Sequence, residues 1–105
     1  MKRKMVSCLV CVYENNIISY EFFNDLAEAY SELDRQAQDE ASKLAAEGCG
    51  PDGVTVIDEP ETKRIVWQLD RAQVLAENPG MSESELDLVC QMHETVFYVL
   101  SGPIQ

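Results

Sequence analysis

Residues 25–47, DLAEAYSELDRQAQDEASKLAAE, constrain this chain more than any other stretch, because they read as one long amphipathic helix. Leu26, Tyr30, Leu33, Ala37, Ala41 and Leu44 recur at spacings of three and four, so they share one side of a 3.6-residue turn. Asn24 is placed to cap the start, and Gly48 to end the helix in the left-handed conformation. The rise per residue makes the segment a rod of roughly 35 Å, and the rest of the chain must pack on its apolar stripe. The opposite side is acidic. Glu28, Glu32 and Asp39 face outward, with Asp25, Asp34, Glu40 and Glu47 at the edges. Arg35 and Lys43 answer them, spaced to pair with Glu32 and Asp39 respectively.

That acidity runs through the chain. There are 19 acids against 8 bases in 105 residues, a formal net charge of −11. The length allows one domain with one core, large enough to fold without metals or disulfides. The charge is uneven: residues 1–13 hold Lys2, Arg3 and Lys4 and no acid, whereas residues 14–61 hold 13 acids and 2 bases. Such a body repels nucleic acid and anionic lipid and is drawn to basic surfaces. The competing explanation is that the charge only keeps a small protein soluble.

Strand signals flank the helix. Met5 to Tyr13 and Ile17 to Phe23 are predicted to form a hairpin through an Asn15-Asn16 turn. That turn pairs Tyr13 with Ile18, Cys11 with Tyr20, and Leu9 with Phe22, giving one wholly apolar face on which the helix is expected to lie. The other face would mix Cys8, Val10 and Val12 with Ser19 and Glu21. After a glycine-rich loop at 48–53, Val54 to Ile57 and Lys63 to Leu69 form a second hairpin. It carries Val54, Val56, Ile65 and Trp67 on one face and sets Asp58 opposite Lys63. Asp70 to Glu77 is a short helix stopped by Asn78-Pro79-Gly80. Ser82-Glu83-Ser84-Glu85 is a capping box, and helical spacing continues from Leu86 to Leu100. The composition of Thr95 to Leu100 also fits a fifth strand. The expected fold is α+β: a four-stranded antiparallel sheet from two hairpins on a long helix, with a C-terminal helical hairpin, or with a fifth strand at 95–100.

Motifs for chemistry are weak. Cys8-Leu9-Val10-Cys11 matches C-x-x-C, but residues three apart on a strand point to opposite faces, so the two thiols read as apolar filler. Cys90 and His93 share a helix side in this reading, among neighbours that look like core rather than a zinc site. Cys49 sits in the glycine loop and is expected to be the accessible thiol. Glu21, beside Val10, is the one carboxylate with a claim to an apolar setting. Residues 69–101 could be drawn as a helix-turn-helix, yet they would meet phosphate with six acids against Arg71. No metal or cofactor is expected. The cysteines suit a reducing, cytoplasmic setting. The apolar part of the start, Met5 to Tyr13, is too short for a signal sequence and lacks a cleavage pattern. No run of about 20 apolar residues exists to span a bilayer.

The sequence therefore points to a non-catalytic protein-binding module. It would present Asp25, Glu28, Glu32, Asp39 and Glu40 to a basic surface of a partner, of the type used for nucleic acid. Small acidic inhibitors of phage and mobile elements have comparable size and charge. The alternative is a structural or homo-oligomeric protein whose acidity is solubilising, and an enzyme stands third. A homodimer is expected from the uncovered sheet face bearing Val10 and Val12.

Overall fold

Five strands and three helices follow one another in a computed structural model that describes residues 5–103. The basic cluster Lys2, Arg3 and Lys4 lies outside the described residues. Strands β1 (Met5–Tyr13), β2 (Asn16–Phe23), β3 (Val54–Asp58), β4 (Thr62–Trp67) and β5 (His93–Pro103) form one antiparallel sheet in the order β2-β1-β5-β4-β3. Helices α1 (Leu26–Leu44), α2 (Arg71–Glu77) and α3 (Glu83–Val89) complete the chain. The fold is α+β, and the fifth strand is present. It joins the two hairpins by inserting between β1 and β4. Helical spacing stops at Val89 because Thr95, Val96 and Val99 are β-branched and fit the pleat better than a helix.

The second hairpin has the expected register, with Val56 opposite Ile65, Val54 opposite Trp67 and Asp58 opposite Lys63. The first does not. Its turn is Glu14-Asn15, both at positive φ (49° and 66°), and Tyr13 pairs with Asn16. A bulge then makes Ile18 the extra residue between the Val12–Ile17 and Cys11–Ser19 pairs. Beyond it Leu9 faces Glu21, Val10 faces Tyr20 and Cys8 faces Phe22. That is one residue from the expected pairing, and a slip of one exchanges the two faces of a strand. Tyr20 and Phe22 therefore stand on the side away from α1, while Ser19, Glu21 and Phe23 stand on the helix side.

The core lies between α1 and the sheet. Ala29, Leu33, Ala37 and Ala41 of the helix meet Leu9 and Cys11 of β1, Ile65 of β4, and Phe97 and Val99 of β5. Leu33 and Ile65 are the largest fully buried side chains, each worth about 1.5–3 kcal/mol of burial. Ala29 belongs to this stripe, and Leu26, expected there, is exposed. The three alanines let the helix backbone approach the sheet closely. Its cap is Asp25, not Asn24: the carboxylate accepts the Ala27 N–H at 2.8 Å. Lys63 ties helix to sheet, reaching Asp34 of α1 at 3.2 Å as well as Asp58.

After Leu44 the chain widens into a π-type turn (Ala45–Cys49) and a single 3-10 turn (Pro51–Gly53). Gly53 is pressed against β4's exit, where the Gln68 N–H donates to its carbonyl at 2.9 Å. A Cβ at Gly53 would lie 2.6 Å from the Gln68 carbonyl oxygen. Asp70 caps α2, and the predicted capping box of Ser82 and Glu85 opens α3.

Candidate functional site

The predicted acidic residues share α1 but not one environment. Glu28, Glu32, Arg35 and Asp39 run along its outer side at intervals of three and four. Arg35 holds both flanking acids: its Nε donates to Glu32 at 2.9 Å and its Nη1 to Asp39 at 2.7 Å. Arg35, helped by Gln36, pulls the Glu32 carboxyl down to about 2. Asp39 thus pairs with Arg35 rather than with the expected Lys43. Asp25 is occupied at the helix N-terminus. Glu28 is exposed and Glu40 half-buried, and neither has an ion-pair partner among the described residues.

Glu40 faces a groove. Because α1 lies over β1, β4 and β5, the helix side of β2 is left partly open, and Ile18, Ser19, Gln36, Glu40 and Lys43 line the gap. Cys11 forms its floor. Burial first, and then the Glu40 charge, push that thiol up to about 11. The groove is therefore no place for a thiolate nucleophile. Glu21 is exposed on this side rather than set among apolar neighbours, so its claim to acid–base work lapses.

His93 carries an arrangement that its sequence position concealed. It opens β5 rather than lying on a helix, and its ring stacks on Trp67 at 4.6 Å between centroids. Trp67 stacks in turn on Tyr13. His93 Nδ1 lies 3.1 Å from a Glu14 carboxylate oxygen and 3.2 Å from the Tyr13 hydroxyl. A protonated Nδ1 donating to Glu14 is the tautomer that fits, which leaves Nε2 as the second ring nitrogen. Burial, with the adjoining Glu14, raises the Tyr13 phenol above its usual range. The contacts pin the strained tip of the first hairpin to the start of β5. Only long-range pairing across 79 residues brings Glu14 and His93 together, so no local motif could have revealed it.

The outer face of the sheet, expected to stand uncovered at Val10 and Val12, also receives Tyr20 and Phe22, which the sequence pattern places under the helix. Register aligns Phe22, Cys8 and Leu100 in one row, Tyr20, Val10 and Tyr98 in the next, and Ile17, Val12 and Val96 in a third. All nine are uncharged. Tyr20 is 66% exposed, Phe22 63% and Leu100 57%, and the rings of Tyr20 and Phe22 meet edge to face.

The cysteines are free. Cys8 and Cys11 lie on opposite faces, as strand geometry requires. Cys49 is only 4% exposed and burial raises its pKa, so the glycine loop wraps the thiol instead of displaying it; Cys8 is the accessible one. Among the described residues no group of three or more His, Cys, Asp or Glu side chains is placed to hold a metal ion, and no helix is long and apolar enough to cross a membrane. No family model, curated protein or solved structure matches the chain.

Proposed function

We propose that this chain is a non-catalytic protein-binding module that offers the acidic side of α1 to a basic surface of a partner protein, of the kind that otherwise binds nucleic acid. One observation carries the reading: among the described residues every cation except Lys43 is already committed. Arg35, Lys63, Arg64 and Arg71 are each held by carboxylates of the same chain. Glu28 and Glu40 are left to attract charge from outside, and Asp25, engaged as the helix cap, adds its negative charge at the start. A rigid helix presents them at fixed intervals, so a partner's Lys and Arg side chains meet carboxylates that need no ordering on binding. The free thiols fit a reducing compartment, and we place the chain in the cytoplasm.

The test is crosslinking capture from host lysate with wild type and the Glu28→Lys/Asp39→Lys variant. The captured protein should present a basic surface, and capture should be lost in the variant. Capture that survives the reversal would leave the acidity with a solubilising role.

A further inference from the structure

We propose that the sheet face turned away from α1 is a homodimer interface, in which two copies pack face to face about a twofold axis and keep both acidic helices outermost. The inference rests on the outer face alone and stands apart from the identity of any basic partner.

An antiparallel sheet with one solvated face ordinarily alternates apolar and polar side chains. Here the three rows from β2, β1 and β5 carry no charge, Glu94 at the start of β5 being the one carboxylate of that strand on this side, and the largest members of the rows are aromatic. Val10 sits at the centre of the block and is buried by its own neighbours, whereas Tyr20 and Phe22 project past it. A contiguous, mostly apolar surface of this kind marks an interaction site.

Charge argues for a second copy as the occupant. The net charge is −11, so most ways of bringing two copies together stack acid on acid. The outer face escapes this. Arg64 and Glu94 lie on its β4–β5 side and neutralise one another, with Arg64 Nε 3.5 Å from the carboxylate. The carboxylates of α1 are on the far side of the sheet. A twofold contact sets a patch against itself, which suits an uncharged patch and gives a basic partner no free carboxylate to hold. Size agrees as well. Five strands at about 4.8 Å spacing and roughly 20 Å of strand length give a face of about 480 Å² in projection. Side-chain relief raises the accessible area towards the ~800 Å² per partner of a standard interface. Two such sheets would pack about 10 Å apart, as in a β-sandwich.

Cys8 supplies a reporter without mutation. It lies in the row between Phe22 and Leu100 and is partly exposed, while the other three thiols are buried. Sedimentation velocity on the whole chain should give a dimer at roughly 100 µM, where a Kd of about 1–10 µM leaves most copies paired. Cys8 should react with a thiol reagent about tenfold faster on dilution well below that Kd, as the covered fraction falls. Tyr20→Lys and Phe22→Lys should each give monomer with fast Cys8 labelling, and Glu28→Lys should leave the dimer intact. Circular dichroism checks that the variants fold. The proposal is overturned by a wild-type chain that stays monomeric throughout, by a dimer that survives both lysine variants, or by Cys8 labelling that ignores concentration. Flotation of a monomeric wild-type chain with phosphatidylcholine vesicles would likewise overturn it, assigning the face to lipid.

Discussion

Leu9 stands opposite Glu21 across the first hairpin, and this one pairing decides which side of the protein Phe22 belongs to. Leu9 is buried under α1, while Phe22 points to the other face. Leu9→Ala should therefore cost about 2–5 kcal/mol, as core truncations do. Phe22→Ala, measured in dilute solution where copies are apart, should shift stability by less than about 1 kcal/mol. Urea unfolding of the two variants checks this. Equal losses would mean that Phe22 packs in the core and that the hairpin register is one residue later.

Gly53 is fixed by space rather than by its φ angle. A methyl group there would press on the Gln68 carbonyl oxygen at 2.6 Å, and that oxygen belongs to backbone leaving β4. Gly53→Ala should destabilise the chain by about 1–3 kcal/mol, the range for forced overpacking. Gly80→Ala meets nothing within 4 Å and should be nearly neutral. Thermal melts of both variants would show the contrast.

These positions also mark what could be read from sequence. The second hairpin was legible because the turn at 59–62 is marked by composition and Asp58 and Lys63 mark the strand ends beside it, which fixes Val54, Val56, Ile65 and Trp67 in one phase. The first was not, because Ile17, Ile18, Tyr20, Phe22 and Phe23 supply apolar side chains in both phases. A bulge then sets the phase, and its cost and benefit are tertiary. The helical stripe was legible from Leu33, Ala37 and Ala41, though Ala29 replaced Leu26 where the helix meets Phe23's strand. Residues 95–100 satisfied two periods at once; pairing with β1 on one side and β4 on the other selected the strand, while Leu86 to Val89 stayed helical. The acidic face was visible residue by residue. Its division into paired Glu32 and Asp39 and unpaired Glu28 and Glu40 depended on which way Arg35 reached.

The turn of the first hairpin stores strain that can be removed. Glu14 and Asn15 both hold positive φ, a conformation glycine adopts freely. Asn15→Gly should raise stability by about 0.5 kcal/mol, the left-handed penalty relieved less the added chain entropy. The Glu14 contact to His93 stays in place, so a loss of stability on this change would contradict the turn geometry.

Alkaline pH should weaken the fold through Cys11. Burial holds its thiol protonated in the folded chain up to about 11, against 9.0 for a free thiol. The unfolded chain loses this proton first. The stabilisation is thus fully present below pH 9 and is lost as pH rises towards 11, by on the order of 2 kcal/mol. Cys49 and Tyr13, also raised, act in the same direction. Urea midpoints between pH 8 and 11 should fall in wild type and fall less steeply in Cys11→Ala. Parallel slopes in the two chains would remove Cys11 from the account.

The acidic helix gives the prediction closest to function. Glu28 and Asp39 are both exposed, and reversing them leaves Arg35 anchored to Glu32. Glu28→Lys/Asp39→Lys should therefore change stability by no more than about 0.5–1 kcal/mol. Capture of a basic partner should nonetheless fail, because each reversal replaces an attraction by a repulsion across the contact. Salt should act likewise on wild type, since the Debye length shrinks from about 10 Å at 0.1 M to about 3 Å at 1 M. Isothermal titration of the captured partner at both salt concentrations separates the outcomes. Affinity that ignores both salt and reversal would mean that apolar surface, and not the α1 carboxylates, makes the contact.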